Sequence, residues 1–124
     1  MRNTKKVLVV DDEPTICRLL KHYLDTQGYE VTVAASGEDA LSRFASDQPG
    51  IVLLDISMPG MLGTELLERM KKLDETCGII VLSAYGDEEI IQEVIGKGAY
   101  CYIQKPMELT NLSEKLNELQ VALA

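Results

Sequence analysis

The sequence predicts an α/β fold: a doubly wound parallel sheet with helices on both faces. Three observations predict it. Five short apolar runs recur along the chain, helix-period segments separate them, and 124 residues allow one domain and no second. Near-continuous apolar runs of this length suit parallel strands buried on both faces. Strand–helix alternation then gives crossovers, whose right-handedness leaves few topologies.

The first run, Val7-Leu8-Val9-Val10, is largely β-branched and ends at Asp11-Asp12. The first helix follows Pro14, which suits a helix start because its missing N–H has no intrahelical partner there. Its stripe is Ile16, Leu19, Leu20, Tyr23 and Leu24, and Gly28 stops it. Val31-Thr32-Val33-Ala34 is a second, weaker strand. Ser36 and Asp39 form an S-x-x-D cap before Ala40, Leu41, Phe44 and Ala45. Ile51-Val52-Leu53-Leu54 ends at Asp55, and Leu62, Leu66, Met70 and Leu73 make a third helical stripe. Ile79-Ile80-Val81-Leu82 ends at Ser83, followed by Ile90, Ile91, Val94 and Ile95 up to Gly96 and Gly98. Tyr100-Cys101-Tyr102-Ile103 ends just before Lys105. Leu109, Leu112, Leu116, Leu119 and Leu123 form the last stripe. Its spacing is heptad-like, but about two heptads are fewer than a coiled coil needs, so packing on the sheet is expected.

Composition excludes several classes. Twenty acidic and twelve basic residues give a net charge of −8, which repels nucleic acid and anionic lipid. No apolar run approaches the ~20 residues of a membrane span. The four apolar residues after Lys6 are too few for a secretory signal. The three cysteines, Cys17, Cys77 and Cys101, are widely spaced without a CxxC motif, and His22 is the only histidine. A zinc site is therefore not expected. The thiols read as small buried hydrophobes in a reducing cytoplasm, and His22 as a surface residue.

The polar residues fall at strand ends. Asp11 and Asp12 follow the first run, Asp55 the third, Ser83 the fourth and Lys105 the fifth. Parallel strands point these ends to one edge, where ligands of open α/β sheets sit. Any one of these aspartates alone would read as a turn former or a helix cap. Together they predict carboxylates, a hydroxyl and an ammonium converging on one shallow pocket. Clustered carboxylates repel, and a hard divalent cation relieves the repulsion. Oxygen-only ligands favour Mg²⁺. An aspartate can act as a nucleophile toward phosphorus, with cations and donors around the equatorial oxygens.

Val9-Val10-Asp11-Asp12-Glu13-Pro14, Leu53 through Gly60, Gly63, Val81-Leu82-Ser83-Ala84, Gly96-Lys97-Gly98-Ala99 and Lys105-Pro106 together resemble the response regulator receiver domain of two-component signalling. The likeness covers nearly all of residues 1–124, read as a single receiver domain. It implies a three-layer, flavodoxin-like (βα)5 fold with strand order 2-1-3-4-5. Asp55 matches the phosphoacceptor. Asp11 and Asp12 match the pair that holds Mg²⁺ (with Mn²⁺ as the alternative), joined by Asp55 and the Ser57 backbone carbonyl. Ser83 matches the hydroxyl that bonds the phosphoryl group, and Lys105 the lysine that pairs with it. Pro106 matches a position that is often cis, and Tyr102 the switch aromatic. Ala84 keeps the approach to Asp55 open. Ser57 and Tyr85 match the variable positions flanking the phosphoryl group, and Tyr85 is a candidate shield against water.

The resemblance further implies phosphorylation by a sensor histidine kinase, a phosphotransfer protein or a small phosphodonor. Ser83 would move toward the phosphoryl group and Tyr102 into the vacated space. The face of the fourth helix, fifth strand and fifth helix would change for an output partner or a homodimer. Such a protein catalyses only its own phosphorylation and dephosphorylation and is not a conventional enzyme. Ile90, Ile91, Val94 and Ile95 make a wider group than burial needs, so part of it is a candidate partner patch.

Three alternatives fit less well. A phosphohydrolase with an aspartyl nucleophile needs an acid two residues after it, where Ser57 stands. A nucleotide or flavin binder needs a glycine-rich cradle, and the first loop is acidic instead. A degenerate receiver used only for docking would not keep competent residues at every phosphorylation position. The chain would serve as a stand-alone regulator or as the receiver of a larger protein.

Overall fold

The computed structural model describes residues 3–57, 63–84 and 86–123. Five strands alternate with five helices: β1 (Asn3–Val10), α1 (Pro14–Thr26), β2 (Glu30–Ala34), α2 (Gly37–Asp47), β3 (Pro49–Asp55), α3 (Gly63–Leu73), β4 (Gly78–Ser83), α4 (Glu88–Gly96), β5 (Cys101–Gln104) and α5 (Leu109–Leu123). All strand pairs are parallel, in the order β2-β1-β3-β4-β5, as the sequence implied. Met58, Pro59, Gly60, Leu62 and Tyr85 lie outside the described residues, and with them the shielding expected of Tyr85.

The period of two along each strand divides the core into two layers. Leu8, Val10, Val52, Leu54, Ile79 and Val81 face one side, where Ala40 and Phe44 of α2, Leu66, Leu67 and Met70 of α3, and Val94 of α4 cover them. Val7, Val9, Ile51, Leu53, Ile80, Leu82 and Ile103 face the other, under Cys17, Leu20 and Leu24 of α1 and Leu112, Leu116 and Leu119 of α5. The central strand β3 is buried along its whole length. Each fully buried leucine is worth roughly 1.5–3 kcal/mol, so three of them commit α5 to the sheet and leave no coiled-coil seam.

Local signals account for the helix ends. Pro14 opens α1, and Gly28 takes φ +90° just after it. The Ser36 hydroxyl accepts a bond from the Asp39 N–H at 3.1 Å, capping α2. Gln48, with φ +50°, ends α2 in the left-handed region without a glycine. Among the described residues no helix is long and apolar enough to cross a membrane.

Several sequence expectations need correction. Leu19 is exposed, because α1 packs through Cys17, Leu20 and Leu24 and leaves only part of the broader stripe inside. Ala45 faces solvent beside the buried Phe44. Leu73 ends α3 ahead of the Asp74–Cys77 turn and is 61% exposed. The fifth strand begins at Cys101, leaving Tyr100 outside it and exposed. Cys17 and Cys77 are buried thiols, but Cys101 is only half-buried, being on the edge strand. His22 is exposed, as expected.

Candidate functional site

Topology brings the site together. The chain goes from β1 outward to β2 and returns to place β3 on the other side of β1, so the order reverses between β1 and β3. A crevice opens at the carboxyl ends of strands at such a point. Val10 pairs with Leu54 in register, so Asp11 and Asp55 emerge side by side. Asp55 pairs with Leu82, and Ser83 with Gln104, which brings Ser83 and Lys105 to the same rim.

Asp11 is buried and held from several directions. Its Oδ1 accepts the Glu13 N–H at 3.0 Å, a local turn that also starts α1. Its N–H donates to the Ala34 carbonyl, and its own carbonyl accepts the Cys17 thiol at 3.2 Å. Asp55, the last residue of β3, is 2% exposed. Its Oδ1 accepts both the N–H and the hydroxyl of Ser57, at 2.9 and 2.6 Å. Ile56, within that turn, packs against Gly63, where an added Cβ would lie 2.3 Å from the Ile56 Cα, so only glycine admits this close passage.

Lys105 joins the two aspartates. Its Nζ donates to Asp11 Oδ2 at 2.6 Å and Asp55 Oδ2 at 3.2 Å, with Glu13 at 3.9 Å on the exposed side. Burial pulls its ammonium pKa down, but the hydrogen bond and charge of Asp11, then those of Asp55, outweigh this. The net shift is upward, and the lysine stays cationic. Its N–H donates to the Ser83 carbonyl at 2.8 Å, and the Lys105–Pro106 bond is cis.

Ser83 is fully buried at the end of β4. Tyr102 is half-buried against the α2-α3-α4 layer, and its hydroxyl donates to the Ser83 carbonyl at 3.4 Å. The two residues read as a switch pair are thus already in contact. Ala84 is exposed at the rim.

Among the described residues, Asp11, Asp12 and Asp55 each offer a carboxylate oxygen within 4.8 Å of the others. Asp12 is the exposed member. This set offers three carboxylates and no nitrogen or sulfur donor, which fits a hard divalent cation, and Lys105 balances only part of their charge. The predicted site residues Asp11, Asp12, Asp55, Ser57, Ser83 and Lys105 are therefore gathered at one end of the sheet. The sequence reading missed two supports. The Ser57 hydroxyl on Asp55 follows an Asp-x-Ser spacing that favours such a turn and was a usable signal. The Cys17 thiol on the Asp11 carbonyl depends on where α1 begins, which periodicity alone leaves loose.

Known proteins resemble this chain in sequence and fold. The response regulator receiver domain family matches residues 7–117. The sporulation initiation phosphotransferase F of Bacillus subtilis (strain 168) is 37% identical over 114 residues, covering 92% of each chain. A chemotaxis protein CheY of Thermotoga maritima is 36% identical over 116 residues, covering 93% of this chain and 97% of its own. Among solved structures, the CheX-CheY-BeF3-Mg²⁺ complex of Borrelia burgdorferi superposes with a TM-score of 0.87 at 29% identity, over 92% of this chain and 87% of that one. With its strand order, its acidic rim and these likenesses in accord, the chain belongs to the response regulator receiver domains of two-component signalling.

Proposed function

We propose that this receiver domain is a phosphorylation-activated switch in which Asp55 accepts a phosphoryl group. One observation carries the reading: the Lys105 ammonium bridges Asp11 and Asp55, with Asp12 beside them. An Asp55 carboxylate oxygen attacks phosphorus in line, the bond to the donor's leaving atom breaks, and an acyl phosphate forms. Lys105 exchanges its carboxylate partners for phosphoryl oxygens, and the Ser83 hydroxyl donates to another. Asp11, Asp12, Asp55 and the Ser57 carbonyl would hold Mg²⁺ or Mn²⁺, which when bound neutralises charge on the carboxylates and the transferred group. Chemistry of this kind is limited to the domain's own phosphorylation and dephosphorylation.

The donor is a histidine kinase, a phosphotransfer protein or a small phosphodonor. A groove of about 370 Å³ beside Lys105, walled by Ile16 and Leu19 of α1 and by Met107 and Leu109, supports access by a protein donor. As Ser83 moves toward the phosphoryl group, Tyr102 follows it inward and the α4-β5-α5 face changes. That face then engages an output protein or a second copy of the chain. The equilibrium shifts only as far as the phosphoryl group favours one state over the other. Net charge −8 argues against direct nucleic-acid binding, and three reduced cysteines accord with a cytoplasmic setting. The test is mass spectrometry after incubation with acetyl phosphate and Mg²⁺. Wild type should gain one phosphoryl group and Asp55→Asn none; labelling of both, or of neither, overturns the reading.

A further inference from the structure

α4 is the most lightly anchored of the helices. It buries one residue fully, Val94, whereas α3 buries Leu66, Leu67 and Met70 and α5 three leucines. Ile90 and Ile91 are half-buried and Ile95 is exposed. An element with so little apolar burial opens at low cost, so its polar attachments weigh more. Its start is secured locally, by the Asp87 side chain accepting the Ile90 N–H.

Its far end is tied to a neighbour. Lys97 Nζ lies 2.9 Å from Glu68 Oε1 on α3 and 2.9 Å from Glu93 Oε2 one turn back on α4. The next residue, Gly98, has φ +107°, and an added Cβ there would press on the Lys71 stem at 3.1 Å. The ion pair and this close packing both lie at the end of α4, and among the described residues no ion pair ties its start, nearer Ser83, to α3.

We propose that the Glu68–Lys97–Glu93 triad is a pin that fastens the end of α4 to α3 in the unphosphorylated domain. Its strength sets how readily the α4-β5-α5 face leaves the resting arrangement. The coupling to phosphorylation rests on the function proposed above; the pin itself does not. A solvent-accessible pair of this kind shifts a two-state equilibrium by about two- to five-fold.

Hydrogen exchange over residues 88–99 in EDTA tests the pin, and the rate of acetyl phosphate labelling with Mg²⁺ tests the coupling. Lys97→Met and Glu68→Gln should each speed both by about two- to five-fold. The double variant should match Lys97→Met, which already removes the Glu68 bond. Glu93→Gln, which loses only the bond within α4, should do less. Unchanged exchange in Lys97→Met and Glu68→Gln overturns the pin. Faster exchange with unchanged labelling overturns its role in switching. If wild type takes no label at all, the phosphorylation reading and the coupling fail together, and exchange still decides the pin.

Discussion

At the scale of single residues, Lys105 has the largest electrostatic role. It neutralises two carboxylates that are 1% and 2% exposed. Lys105→Met leaves them facing one another without a counter-charge, which should cost ~3 kcal/mol in EDTA. Mg²⁺ should restore more stability to this variant than it adds to wild type; urea unfolding with and without the ion measures both. Cys101 offers a pH test away from the site. Burial pushes its thiol above the ordinary value, Lys115 pulls it back in part, and Glu118 adds to the rise. A raised thiol pKa means the fold favours the neutral form. Its contribution to stability is whole below the unfolded value near 9.0 and is lost as pH rises through the folded one. Alkylation of the folded protein by iodoacetamide should show its midpoint above pH 9.0 at this residue. The residue types at the site were legible because each follows an apolar run. The Cys17 and Ser57 supports depend on local turns that periodicity does not describe.

At the scale of elements, all ten were readable, and their edges were not. Apolar runs show where a strand is buried. They do not show that β1 pairs from Asn3, since Asn3–Lys6 alternate between exposed and half-buried. Leu67 of α3 was missed because the stripe of three- and four-residue steps passes through Leu66 and Met70 beside it. Gln48 at a positive φ carries no composition signal at all. At the start of α3 a single added atom is enough to displace backbone. Gly63→Ala drives a Cβ into the Ile56 backbone, so the chain must shift. Chemical denaturation should find a loss of about 1–3 kcal/mol, and acetyl phosphate labelling should slow because the shift reaches the Asp55–Ser57 turn.

At the scale of the whole molecule, parallel pairing turns four separated stretches of sequence into one rim, which is why strand-end residues were informative before any coordinates. A ligand that binds only the folded rim stabilises the entire domain. Mg²⁺ at 100 times its dissociation constant should add about 2.7 kcal/mol to unfolding. Asp12→Asn, at an exposed position, should leave stability in EDTA within about 0.5 kcal/mol and lose most of that gain. Thermal melts followed by circular dichroism distinguish the two effects. The two-layer core has a further consequence. Tyr102 belongs to the layer under α2, α3 and α4, while its neighbours Cys101 and Ile103 belong to the one under α1 and α5. One strand therefore serves two compartments, and the groove beside α1 and the Tyr102 ring lie on opposite sides of it. Substitutions that reshape the groove can therefore leave the packing of Tyr102 undisturbed, and the reverse.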